Sequence, residues 1–184
     1  MIIFSKLLNK NQIIILRNSY KKCISSSSNC TEIFKITGNF EHGKFLCQTV
    51  GSIAQVSHVF TQEEVNTFAE LMGDNNPIHI DPVFAATTMF GGTIVHGIFV
   101  SSLFSTLFGR SIPGAIYVNQ TVNFKRPVHV GKEVVATIQV QSVAKHKRGN
   151  LVTCRTSCKL GSDGSLVVDG HATVLVQETE AVQS

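Results

Sequence analysis

No acidic side chain stands among the first 31 residues, and no regular spacing relates the five cysteines. Nor does any window hold the ~20 consecutive apolar residues that a membrane-spanning helix needs. The most apolar stretch, Ile98 to Phe108, is broken by Ser101, Ser102 and Ser105, so no span is expected and the mature protein is expected to be soluble. Cys23 and Cys30 fall in the acid-free leader, and an odd number of irregularly spaced cysteines carries no disulfide framework. Cys154 and Cys158 lie in a strand-like segment, where four residues cover ~13 Å, too far for one ion to join them. Both read as small buried hydrophobes. Internal repeats are also missing.

What the leader does contain is Lys6, Lys10, Arg17, Lys21 and Lys22, with Ser5, Ser19, Ser25 to Ser28 and apolar residues between the bases. That is the composition of a mitochondrial transit peptide. A disordered basic arm or a chloroplast leader shares much of it. A secretory signal fits less well, because the apolar run Ile13 to Leu16 is short and Arg17 follows directly. Residues 1–31 are therefore expected to direct the chain to the mitochondrial matrix, leaving 32–184 as one domain; the length supports one ordinary core and not two. Beyond the leader, 11 basic side chains meet 12 acidic ones. A nucleic-acid partner has no electrostatic support there.

Short β-prone runs occupy 45–60, and Thr61-Gln62-Glu63-Glu64 then forms a capping box that opens a helix. Val65, Phe68, Ala69 and Met72 recur at helical spacing, and Gly73 closes the helix. Residues 74–82 follow as a polar loop kinked at Asn76-Pro77 and Asp81-Pro82. From Thr93 to Gly109 the chain is apolar on nearly every face, which predicts a helix buried all round, ended by Pro113-Gly114. Strands are predicted over 116–124, 133–143, 151–160 and 166–177, joined by turns. Their succession without helices predicts antiparallel hairpins, and the apolar face of such a sheet needs a cover. The fold class is α+β, a curved antiparallel sheet wrapped around the one long helix.

The polar run Gly73-Asp74-Asn75-Asn76-Pro77-Ile78-His79-Ile80-Asp81 stands between two apolar helices and holds a carboxylate and an imidazole. A kink at Pro77 could turn Asp74 and His79 toward one point. Removing water from a β-hydroxyacyl thioester needs a base at the α-carbon and an acid at the departing hydroxyl, and two such groups about one water suffice. The developing enolate needs donors, which the backbone N–H groups of a helix start at 93–97 supply. Gly97, without a β-carbon, would let a substrate oxygen come close. Pattern alone leaves other readings open: Asp74 could accept only local backbone N–H groups, and a loop histidine is commonly hydrogen-bonded filler. Asp74, His79 and Asp81 could be metal ligands, but no fourth nitrogen or sulfur donor stands nearby. No metal and no cofactor are expected.

Gly-Asp-x-Asn-Pro-x-His at 73–79, followed by Asp81, Phe84-Ala85, Phe90-Gly91 and His96-Gly97, resembles the MaoC-like (R)-specific enoyl-thioester hydratases. The resemblance continues through Ser102-Leu103-Phe104-Ser105 and Phe124-Lys125-Arg126-Pro127-Val128-x-Val130-Gly131, over about residues 55–177. It implies a single hot-dog fold working as a homodimer with an acyl tunnel near the subunit interface. By the same resemblance Asp74 and His79 would be the catalytic pair, and the Gly97 N–H would bind the thioester oxygen. Asn76 would position the loop or the water, and Ser105 would hydrogen-bond near the aspartate. A leader of this kind on a single hot-dog domain resembles the type 2 dehydratases of mitochondrial fatty acid synthesis, which take (3R)-hydroxyacyl chains on acyl carrier protein to trans-2-enoyl chains. Such carriers are acidic, so a basic landing patch is expected at Lys125, Arg126 and Lys132, with the run Lys145-His146-Lys147-Arg148 as a further candidate or a solvated turn.

The rival readings are an (R)-specific enoyl-CoA hydratase of fatty acid breakdown, which shares the chemistry, a hot-dog thioesterase, and a non-catalytic acyl-thioester binding protein. A thioesterase would carry its carboxylate on the helix, and a binding protein would have no need of Asp74 and His79.

Overall fold

The computed structural model of the protein describes residues 33–36 and 48–177. The targeting segment expected over 1–31 lies outside them. Six strands form one sheet: β1 (Ile33–Ile36), β2 (Ile53–Val59), β3 (Ile116–Phe124), β4 (Glu133–His146), β5 (Gly149–Leu160) and β6 (Leu166–Val176). Their spatial order is β1-β2-β4-β5-β6-β3, antiparallel except for the pairing of β1 with β2. Among the described residues four helices accompany the sheet: α1 (Gln62–Met72), α2 (Pro77–Ile80), α3 (Pro82–Ala86) and α4 (Gly97–Ser111). None of the described helices is long and apolar enough to cross a membrane.

Period-two alternation determines which face of the sheet is dry. Val134, Ala136, Ile138 and Val140 on β4, Val152, Cys154 and Cys158 on β5, and Ala172 and Val174 on β6 are all buried. They meet the Val100, Leu103, Phe104, Leu107 and Phe108 stripe of α4, so this helix is the cover that the sheet needs and the fold is a hot-dog. Fully burying one such side chain contributes about 1.5–3 kcal/mol. Burial also pushes the thiols of Cys154 and Cys158 up to about 12, in keeping with their reading as hydrophobes.

The structure corrects several expectations. Segment 74–82 is not simply a loop: each proline starts a short helix at its first position, where the missing N–H costs nothing. Helix α4 begins at Gly97 rather than Thr93, because Ile94 is held in a β-bridge with His129. Nor is α4 buried all round: Ile98, Ser102, Ser105 and Gly109 form an exposed stripe. Ser101 and Ser102 hide this in the sequence, since each satisfies its hydroxyl on its own helix, at Ile98 O (2.9 Å) and Phe99 O (2.7 Å).

Strand order departs from a run of hairpins as well. β3 pairs with β6, at the far edge of the sheet from β2, and the segment after β3 crosses back as a stitched connection. Lys125 N–H donates to Val167 O (2.9 Å), Val95 N–H to Val128 O (2.8 Å) and Gly131 N–H to Phe60 O (2.8 Å). These bonds bring residues 125–128 to the start of α4.

Candidate active site

Local chemistry builds the turn that carries the polar residues. Thr61 and Glu64 cap α1 reciprocally, and Gly73 ends it in the left-handed region (φ 75°), donating to Ala69 O (2.8 Å). Asn76 Oδ1 then accepts from Ile78 N–H (3.3 Å) and caps α2, while Asp81 Oδ1 accepts from Val83 N–H (2.9 Å) and Phe84 N–H (3.0 Å) and caps α3. Oδ1 of Asp81 is thereby engaged by the backbone. Gln62 sews the turn in place: its Nε2 donates to His79 O (2.8 Å) and its Oε1 accepts from the Thr93 hydroxyl (2.8 Å).

His79 is buried, and its Nδ1 lies 2.7 Å from Ile94 O. A carbonyl only accepts, so Nδ1 carries the proton and Nε2 is left as a bare lone pair. Burial holds the imidazole below its ordinary pKa, opposed by the Ile94 hydrogen bond; a charge on His96 would lower it further and that of Asp74 raises it. Against His79 lies the ring of His96, centroids 3.8 Å apart and 29° from parallel. Asp74, with 57% of its side chain exposed, presents Oδ2 3.9 Å from His96 Nε2. Its Oδ1 makes only a long contact with Asn76 N–H (3.4 Å). One carboxylate oxygen and one nitrogen from each imidazole thus lie within 4.8 Å of one another.

A cavity of about 410 Å³ opens beside this cluster. His79 and Gly97 line it, Val100, Val128 and Val168 make it apolar, and Lys125 and Arg126 stand on its wall as exposed bases. His96, the N-cap residue of α4, makes no side-chain bond to the first helical N–H groups, so the end that carries Gly97 is left without a side-chain cap. The freedom at Gly97 serves a neighbour: a β-carbon there would lie 2.7 Å from Phe124 Cε1. The half-exposed Phe124 ring takes the space that a β-carbon on Gly97 would fill, and Gly97 itself still lines the cavity.

A bare imidazole nitrogen, a carboxylate and an uncapped helix start about an apolar cavity can move a proton and stabilise an oxyanion. Held as they are, the two rings do not suit a metal. An ion bound by both would lie in both ring planes at ~2 Å from each nitrogen, and near-parallel stacked rings share no such point.

The structure therefore gathers Asp74, His79, Asn76 and Gly97 in one region. It does not bring Ser105 there: Ser105 lies on the exposed stripe of α4, makes no recorded hydrogen bond among the described residues and does not line the cavity. Within one chain the expected bond near Asp74 is absent, because two helical turns separate Ser105 from Gly97. Lys132 is exposed but off the cavity wall. Lys145-His146-Lys147-Arg148 forms the tip of the β4–β5 hairpin, at the opposite end of β4 from the cavity. In the sequence His96 and Phe124 stand out only as parts of motifs. An imidazole directly before the helix-starting glycine was the available signal for His96.

Comparison with known proteins places the chain among relatives of one kind. A family model described as a MaoC like domain matches residues 49–160. The chain is 44% identical over 127 residues to an (R)-specific enoyl-CoA hydratase of Aeromonas caviae, covering 68% of this chain and 92% of that one. It is 33% identical over 134 residues to a mitochondrial 3-hydroxyacyl-[acyl-carrier-protein] dehydratase of Arabidopsis thaliana, covering 73% and 81%. Among solved structures, the (R)-hydratase from A. caviae involved in PHA biosynthesis superposes with a TM-score of 0.66 at 42% identity, covering 70% of this chain and 96% of that one.

Proposed function

The chain belongs to the MaoC-like family, and from that membership we propose that it is a (3R)-3-hydroxyacyl-thioester dehydratase, a hydro-lyase that forms trans-2-enoyl thioesters reversibly in mitochondrial fatty acid synthesis. The observation that carries the reading is the convergence of Asp74, the bare Nε2 of His79 and the start of α4 at Gly97 beside one apolar cavity.

In the dehydration direction the thioester oxygen takes the Gly97 N–H, which stabilises negative charge as the α-proton leaves. His79 and Asp74 together accept that proton and return one to the β-hydroxyl, which departs as water as the double bond forms. Hydration is the same path reversed, and the pair ends each turnover in its starting charge state. Asn76 holds the turn through its cap on α2.

Lys125 and Arg126 on the cavity wall suit the acidic surface of an acyl carrier protein or the phosphates of CoA; Lys132 would lie further out. A matrix location is supported by the basic, acid-free leader 1–31 and by the mitochondrial relatives from Arabidopsis thaliana and Solanum lycopersicum. The domain then spans 32–184. A homodimer is supported by β3, which among the described residues is an edge strand bonded only to β6 and exposes Ile116, Tyr117, Val118 and Phe124. The second reading, an (R)-specific enoyl-CoA hydratase of fatty acid breakdown, has the Aeromonas caviae relative in its favour and differs in carrier rather than in chemistry.

Absorbance-monitored hydration of trans-2-enoyl thioesters by protein lacking the leader, with chiral analysis of the product, tests the proposal. An (R)-3-hydroxyacyl product is expected. Asp74→Asn or His79→Ala should lower turnover about 10²–10⁴-fold with the fold intact by circular dichroism. Near-native turnover in either variant would sink the assignment of the pair, and comparing CoA with carrier-protein thioesters separates the two readings.

A further inference from the structure

The site holds two imidazoles, and the chemistry above uses one. His96 has 3% of its side chain exposed, packed between His79 at 3.8 Å and Phe68 at 5.1 Å between centroids. Its Nε2 lies 3.0 Å from the backbone carbonyl oxygen of Asp74. That carbonyl only accepts, so Nε2 carries the proton, and Nδ1 is then a buried lone pair with no hydrogen-bond partner. A ring whose sole duty was to fill space would be better made of carbon, because leaving a polar atom buried and unpaired is costly. The nitrogen that is paired points to the purpose. It joins the turn that carries Asp74 to the residue directly before Gly97, while the face of the same ring lies against His79.

We infer that His96 is a positioning residue: its Nε2–H ties the Asp74 backbone to the start of α4, and its ring braces His79, so that one side chain sets the relative placement of carboxylate, imidazole and Gly97 N–H. This rests on the hydratase reading above. His96 touches no reacting atom in this role and acts through what it holds. Reacting groups held within a fraction of an ångström are what such a link secures, and a displacement of ~1 Å can cost about a hundredfold in rate.

Three substitutions separate the donor from the ring. Glutamine carries its amide nitrogen as many bonds from Cα as Nε2 of histidine, asparagine one bond short, and phenylalanine keeps a ring without a donor. His96→Phe and His96→Asn are expected to lower kcat at least about tenfold while KM changes by less than about threefold. His96→Gln is expected to recover most of the lost kcat, with thermal melting recorded for all three. Wild-type kcat in His96→Phe overturns the inference. So does an equal loss in all three variants that follows their melting temperatures, since that is the signature of packing alone. Inclusion of wild type and Asp74→Asn keeps the two readings apart. Hydration by wild type with an indifferent His96→Phe removes this inference only, whereas wild type as inactive as Asp74→Asn removes the hydratase reading and this one with it.

Discussion

At His79 burial and hydrogen bonding act against each other. The buried ring is held below the ordinary imidazole value by desolvation, although Ile94 O accepts from its Nδ1–H and Asp74 lies near. His96 is the other ionisable neighbour, and its charge would press the value down further. Because the folded pKa is lower than the unfolded one of about 6.5, the unfolded chain takes up the proton first as pH falls. The contribution to stability is therefore full above about pH 6.5 and is lost as the pH falls through the lower folded value. The same sign governs activity, since Nε2 stays bare to a lower pH than a free imidazole would allow. The acid limb of the kcat/KM profile should accordingly lie below about pH 6.5. A limb at or above that value in the wild-type profile would show that burial does not control the base.

Among the elements, the start of α4 lies tight against the end of β3. Phe124 ends β3, and its ring lies where a side chain on Gly97, the first residue of α4, would have to go. The ring is half exposed, so it can move, and Gly97→Ala should cost little stability, within about 1 kcal/mol. The displaced ring would crowd the cavity mouth and the helix start. A fall in kcat/KM of about tenfold is expected for Gly97→Ala, with recovery when Phe124→Leu is added. Steady-state kinetics on the single and double variants check this, and a double variant no better than Gly97→Ala would place the defect in the backbone rather than in the ring. The capping box of Thr61 and Glu64 works on α1 in a more local way. Four consecutive residues suffice for it, and it was legible from them; the Phe124–Gly97 contact joins residues far apart in the chain and was not.

For the whole molecule the decisive feature is the edge that β3 leaves open. A nine-residue strand with exposed Ile116 and Val118 and, among the described residues, no neighbour beyond it is a template for pairing with another chain. Light scattering on the full chain should give twice its 20.0 kDa mass. Val118→Lys places a charge on that edge and should shift the population toward monomer. A monomeric wild type at micromolar concentration would remove the dimer proposal and leave the open edge unexplained. The exposed stripe Ile98, Ser102, Ser105 and Gly109 on α4 belongs to the same question, because one chain leaves it uncovered.

By itself the sequence determined what depends on neighbours a few residues away. It set the start and end of α1, the prolines that restart the chain at 77 and 82, the alternation that makes β4, β5 and β6 one-sided, and the grouping of Asp74, Asn76 and His79 on one turn. Only the tertiary structure decided that β3 joins β6, that residues 125–128 return to the start of α4, and that His96 lies flat against His79 while its Nε2 holds Asp74. It also decided that the Lys145 to Arg148 tip lies far from the cavity. The division has a physical cause. Caps, turns and periodicity are satisfied by bonds within a turn or two of chain, whereas strand order and ring stacking are chosen by how the whole apolar face of the sheet closes over α4.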